Sequence, residues 1–184
     1  EPQLRQPHQL WCDALPNRVI HQLKIPGQSR LAHALQSLGV VEGDRVVAWL
    51  PNAIEVVETM LASASIGAIF SSCSPDFGAQ GVLDRFSQIT PKILVATDSY
   101  IYGGKKFDCL ERLAVVRNGL PTLKATLLVS LDEQAESRGL VSYEKCLQSG
   151  ASTPLAPRRF EFDHPWYVLY SSGTTGVPKC IVHR

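Results

Sequence analysis

Apolar runs and amphipathic stretches alternate along the chain, and the alternation predicts its elements. From Ser29, "SRLAHALQSLGV" sets Leu31, Ala34, Leu35 and Leu38 on one helical face. Ser29 is the expected cap, and Gly39 the left-handed C-terminal residue. "EGD" reads as a turn and "RVVAWL" as a buried strand. In "PNAIEVVETMLASASIG", Asn52 followed three residues later by Glu55 fits a capping box, with Asn in place of Ser or Thr. Ile54, Val57, Met60, Leu61 and Ala64 form that helix's apolar face, and Gly67 ends it. "AIFSSC" is a strand, and "PDFGAQGVLDRFSQIT" is a turn plus helix stopped by Pro91. "KILVAT" is a strand, "KKFDCLERLAVVRNG" a helix and "ATLLVS" a strand. Residues 132–160 are polar and loop-rich, with a short helix at "YEKCLQSG". "WYVLYS" is a further strand, and "CIVHR" begins another.

Several of these strands are continuous apolar runs. Strands of that kind are buried on both faces, which predicts the α/β class: a mostly parallel sheet with flanking helices. Residues 1–28 mix Pro, Gln and His without a sustained period and read as an irregular segment.

Composition narrows the functional classes. The 184 residues are 45% hydrophobic and 19% charged, as in an ordinary globular domain. A net charge of +1 gives no electrostatic reason to expect nucleic acid or an anionic membrane as a partner. No apolar run approaches the ~20 residues of a membrane span. Cys12, Cys73, Cys109, Cys146 and Cys180 are too widely spaced for zinc pairs, and they suggest reduced thiols of a cytoplasmic protein. The histidines have no metal-ligand spacing.

The chemistry concentrates in "YSSGTTGVPKC", residues 170–180. It follows a strand, and ligands collect at the C-terminal ends of strands in open α/β sheets. Gly173 and Gly176 let the main chain approach a ligand closely. Ser171, Ser172, Thr174 and Thr175 supply hydroxyls, Lys179 a mobile cation, and Pro178 a stiff exit. Such a set suits a polyphosphate, although composition alone also fits a polar hairpin loop. The common P-loop, G-x-x-x-x-G-K-[ST], is excluded because Val177 and Pro178 separate Gly176 from the lysine.

"SSGTTGVPK" resembles the signature phosphate loop of the adenylate-forming enzymes, the acyl-CoA synthetases and their relatives. "LGVVEGDRVVAWLPN" and "MLASASIGAIFSSCSPDFG" resemble the short-chain branch. "SPDFGAQGVLDRFSQITPKIL", "YIYGGKKFDCLERL" and "FDHPWYVLYSSGTTGVPKCIVH" resemble members of that branch acting on acetoacetate. The resemblance covers residues 29–184 and not 1–28.

The resemblance implies part of the large N-terminal AMP-binding domain, ending just after the phosphate loop. It implies ATP, Mg2+ and coenzyme A as substrates or cofactors, with acetoacetate as the acid. Ser171, Ser172, Gly173, Thr174, Thr175, Gly176 and Lys179 would hold the ATP phosphates, with Ser172, Thr174, Thr175 and Lys179 on the β- and γ-phosphates. The glycine turn "YGGKK" reads as a solvated helix start, or else Lys105 or Lys106 would meet a phosphate of coenzyme A, as in short-chain synthetases. The family's adenine, ribose and C-terminal lysine segments have no counterpart in these residues, so no complete catalytic set is expected in this chain. The alternatives are an acetate or propionate enzyme, and a truncated, non-enzymatic product. Asp76-Phe77-Gly78 is read as a turn before a helix, since no other kinase segment accompanies it.

Overall fold

The computed structural model describes residues 27–130, 139–151, 153–171 and 176–184. The elements run α1 (Gln28–Ser37), β1 (Arg45–Trp49), α2 (Ile54–Ser65), β2 (Ile69–Cys73), α3 (Ala79–Phe86), β3 (Ile93–Thr97), β4 (Ser99–Tyr102) and β5 (Lys105–Asp108). They continue with α4 (Leu110–Asn118), β6 (Ala125–Val129), β7 (Val141–Ser142), α5 (Tyr143–Ser149), β8 (Tyr167–Tyr170) and β9 (Cys180–His183). Of the irregular segment read over 1–28, residues 1–26 lie outside the described part, and its end is corrected: Gly27 caps α1 and Gln28 is its first residue.

Seven strands form one sheet in the order β7-β6-β3-β1-β2-β8-β9. Every neighbouring pair is parallel except β8 and β9. The expected mostly parallel sheet with flanking helices is therefore present. Its two faces follow from the strand period of two. Val46, Ala48, Ile93, Val95 and Leu127 point to a core built with α1, α2 and α5. Val47, Trp49, Leu94, Ala96 and Leu128 point the other way, to a core built with α3 and α4. All ten side chains are shut off from solvent, so successive positions of these strands are buried on opposite faces.

Three local expectations are corrected. First, α1 starts one residue before Ser29, with Gly27 at its cap and no side-chain cap bond. The Gly27 N–H instead donates to Glu58 Oε1 at 2.9 Å, and a Cβ at residue 27 would run into that carboxylate. Second, the capping box at Asn52 and Glu55 does not form. Ala53 is the cap, without a side-chain bond, and Glu55 lies inside the first turn of α2.

Third, the stretch read as one helix from Lys105 begins as a β-hairpin. Strands β4 and β5 pair antiparallel through Gly103 and Gly104, whose φ angles of 55° and 75° suit a tight primed turn. The helix starts only at Leu110, where Asp108 Oδ1 accepts from the Leu110 N–H at 2.8 Å. Two glycines with positive φ close a hairpin more readily than they open a helix, and this outweighs the helical pattern that follows.

Buried polar groups tie the layers together. Glu58, 6% exposed, accepts from Gly27 and from the Tyr143 hydroxyl at 2.8 Å, joining α2 to the starts of α1 and α5. Burial, then the bond to Glu58, pushes the Tyr143 phenol above its ordinary range.

At the N-terminal edge of the sheet, Asp44 accepts from Lys92 Nζ at 2.7 Å and from the Val41 N–H at 2.8 Å. Burial alone would raise its pKa. The bonds from Lys92 and Val41 outweigh that and hold the carboxyl below its ordinary value. A depressed carboxyl adds stability above its unfolded pKa of about 3.9, and loses it as pH falls through the lower folded value. Asp44→Asn is therefore expected to cost about 1 kcal/mol at neutral pH and nearly nothing near pH 2. Urea unfolding of both forms at the two pH values checks this, and an equal deficit at both would contradict it.

Candidate functional site

The topology brings the candidate residues to one edge of the sheet. After β1 the chain adds β2 on one side and β3 on the other, so strand order reverses at β1. Crevices in open parallel sheets lie at the C-terminal ends of strands beside such a reversal. Segments 50–53, 74–78, 98–109 and 171–179 all leave C-terminal strand ends on this edge. A cleft of about 250 Å³ opens there among Leu50, Pro51, Asn52, Ser72, Cys73 and Ser74. A more apolar groove of about 320 Å³ lies between α2 and strands β2 and β8.

The serine–threonine–glycine motif links the hairpin β8–β9. Its base is closed by two bonds between the same residues. The Ser171 N–H donates to the Lys179 carbonyl at 3.0 Å, and the Lys179 N–H donates to Ser171 Oγ at 3.2 Å. Ser171 and Lys179 are thus brought together across eight positions of sequence. Gly176 takes φ 100°, a conformation other residues rarely adopt, where the loop turns back toward β9. Lys179 is exposed. Ser172, Gly173, Thr174 and Thr175 lie outside the described residues.

The incoming strand is anchored from the sheet. Ser71 Oγ donates to the Val168 carbonyl at 2.7 Å and approaches the Tyr170 hydroxyl at 3.3 Å. Burial raises the Tyr170 phenol above its ordinary range. The outgoing strand meets Gln88, whose Nε2 donates to the Pro178 carbonyl at 2.7 Å. Gln88 lies inside the stretch "SPDFGAQGVLDRFSQITPKIL", where nothing marks it as a partner of residues 171–179. The contact spans ninety positions and has no local signature.

Lys105 stands apart. It lies on the separate β4–β5 hairpin and is exposed, as is the whole of β5. The hairpin follows β3, and two strands separate β3 from β8. At about 4.8 Å per strand, the two segments leave the sheet roughly 14 Å apart. They share an edge of the sheet.

The turn at Asp76-Phe77-Gly78 precedes α3, as expected, with Gly78 at the cap. Its carboxylate is occupied structurally. Asp76 accepts from Ser74 Oγ and from the Tyr100 hydroxyl, each at 2.8 Å, and the Ser74 bond, then the Tyr100 bond, lowers its pKa. Cys73 borders the cleft, but burial pushes its thiol up to about 12, so it is no nucleophile at neutral pH. His183 stacks on the Tyr167 ring at 4.5 Å, in a structural role. Among the described residues no group of three or more His, Cys, Asp or Glu could hold a metal ion. No helix among them is long and apolar enough to cross a membrane.

The sequence pattern of the AMP-binding enzyme family matches residues 28–184. The chain belongs to the AMP-binding enzymes. Among family members, acetoacetyl-CoA synthetase of Gallus gallus is 47% identical over 161 residues, covering 83% of this chain and 24% of its own length. Acetoacetyl-coenzyme A synthetase of Rhizobium meliloti is 47% identical over 158 residues, covering 84% and 24%. The solved structure of acetoacetyl-CoA synthetase from Streptomyces lividans superposes with a TM-score of 0.80 at 44% identity, covering 85% of this chain and 24% of that one. The fold is that of the N-terminal domain of adenylate-forming AMP-binding enzymes. The chain spans about a quarter of the length of the relatives it matches.

Proposed function

We propose that residues 29–184 are the front of the AMP-binding domain of an acid–thiol ligase that joins acetoacetate to coenzyme A. The observation that carries this reading is the motif's placement. S-S-G-T-T-G-x-P-K spans a hairpin on the ligand-binding edge, with its base locked by Ser171 and Lys179. The choice of acid rests on the 44–47% identity to acetoacetyl-CoA synthetases of a bird and two bacteria. The reaction is cytoplasmic in this reading, which the four free thiols among the described cysteines support.

The chemistry has two halves. An acetoacetate carboxylate oxygen attacks the α-phosphorus of ATP, and the bond to pyrophosphate breaks. The thiol of coenzyme A then displaces AMP from the acyl carbon. In the first half, negative charge builds on the leaving pyrophosphate. The Lys179 ammonium neutralises it. The hydroxyls of Ser172, Thr174 and Thr175 donate to the β- and γ-phosphate oxygens, and Gly173 and Gly176 let the backbone come close. Ser171 supports the base of the loop and keeps its own hydroxyl hydrogen for a phosphate. Preformed donors of this kind need no reorganisation as the charge develops. Lys105, on its hairpin farther along the same edge, meets a phosphate of coenzyme A. Magnesium would be held through the ATP phosphates and would neutralise their charge, and no step here runs through it.

The test is exchange of labelled pyrophosphate into ATP by the intact protein that carries this sequence. Exchange is expected with acetoacetate and at least tenfold less with acetate or propionate. Equal exchange with the three acids would move the assignment to a broader short-chain ligase. No exchange with any of them would overturn it.

A further inference from the structure

The phosphate loop is gripped from outside by the end of α3, and this carries one inference that rests on the reading above. Gln88 lies in the tight turn Ser87–Ile89 that continues α3. Its Nε2 donates to the Asp84 carbonyl at 2.6 Å and to the Pro178 carbonyl at 2.7 Å. Its Oε1 faces Cys180 Sγ at 3.4 Å, which donates to it. Two carbonyl acceptors determine which end of the amide is nitrogen, since the reverse setting would turn oxygen on oxygen. Burial raises the Cys180 pKa, so the thiol keeps the hydrogen it donates.

Gln88 thus holds the residue on either side of Lys179. One turn earlier, the Arg85 guanidinium lies 4.1 Å from the Phe77 ring and 6.0 Å from the Tyr170 ring. The same short helical segment therefore touches the strand leading into the loop and the strand leading out of it. Nothing in the reaction requires Gln88 to meet a ligand.

We propose that Gln88 is a positioning residue for ATP activation: by fixing Pro178 and Cys180 it sets the direction in which Lys179 leaves the backbone. Gln88 is itself exposed. Its bonds therefore compete with water and add little to overall stability, while the placement of Lys179 depends on them. A displacement near 1 Å in a positioning contact is enough to cost roughly tenfold to a hundredfold in rate.

The experiment compares Gln88→Met, Lys179→Ala and the double variant in the intact protein. It reads acetoacetate-dependent pyrophosphate exchange, the KM for ATP and the melting midpoint. Gln88→Met keeps length and loses the amide. It is expected to lower exchange about tenfold and raise the KM for ATP, with the midpoint unchanged. The double variant is expected to match Lys179→Ala within about twofold, because residues acting through one another are not additive.

Wild-type exchange in Gln88→Met, independent losses that multiply, or a loss that tracks a lowered midpoint would each overturn the proposal. Should Gln88→Met fail to fold, Gln88→Glu keeps the shape and turns a carboxylate toward two carbonyls. It is then expected to lose more than tenfold, and unchanged exchange would be contrary. A damaged Lys179→Ala beside an unaffected Gln88 variant overturns this inference alone. Undiminished exchange in Lys179→Ala overturns the phosphate reading as well.

Discussion

Lys179→Ala is expected to lower acetoacetate-dependent pyrophosphate exchange by roughly 100- to 1,000-fold while leaving the melting midpoint in place. The backbone of residue 179 closes the hairpin base through its N–H and its carbonyl, and both survive the substitution. What disappears is one exposed ammonium aimed from a locked base. Such a cation acts most strongly where charge is growing. The rate of adenylate formation should therefore fall more than the affinity for ATP falls. The measurement is exchange at saturating and subsaturating ATP, with heat unfolding alongside. A loss below about threefold would contradict the role given to Lys179. So would a loss confined to the KM, which would mean the lysine binds ground state and transition state alike.

Trp49→Ala should do the reverse, costing about 3–5 kcal/mol of folding stability with no charge removed from the loop. Trp49 is wholly buried at the C-terminal end of central strand β1. Its indole N–H donates to the Ser74 carbonyl at 3.2 Å, and the Arg112 guanidinium lies 5.7 Å from its ring. Truncation would leave a cavity between β1, β2 and α4, and one carbonyl without its donor. Urea unfolding of the intact protein measures this. Since Trp49 packs beneath the 74–78 turn, a secondary drop in activity is expected, relieved at lower temperature. A cost under about 1 kcal/mol would mean that the second core is far looser than its burial indicates.

Much of this was legible in the sequence because the sheet is buried on both faces. The runs "VVAW" and "ILVA" are apolar at every position, as strands of a parallel sheet covered on both faces are. Gly39 and Gly67, expected to end helices, take φ of 82° and 75°. The S-S-G-T-T-G-x-P-K motif stood out because its order of residues is specific.

What escaped was set by partners distant in sequence. No local rule says that the Gly27 N–H will find Glu58, thirty-one residues on, so Ser29 looked like the better cap. Asn52 and Glu55 had the right spacing, but Ala53 took the cap in extended geometry. The β4–β5 hairpin had a local signal in Gly103-Gly104, hidden by reading the lysines after it as a helix start. Gln88 had none.

The two-sided sheet also bears on how the protein tolerates change. Val46 and Ala48 belong to the core of α1, α2 and α5, while Val47 and Trp49 belong to the core of α3 and α4. Adjacent positions in the chain are therefore strangers in energy, and positions two apart are neighbours. Substitutions should form two nearly independent sets, additive between faces and coupled within one. The layer that holds Pro178 and Cys180 is the α3 layer. Drift in the other layer is expected to leave the residues proposed to meet ATP undisturbed, so this part of the protein can vary on one face while the opposite face is held.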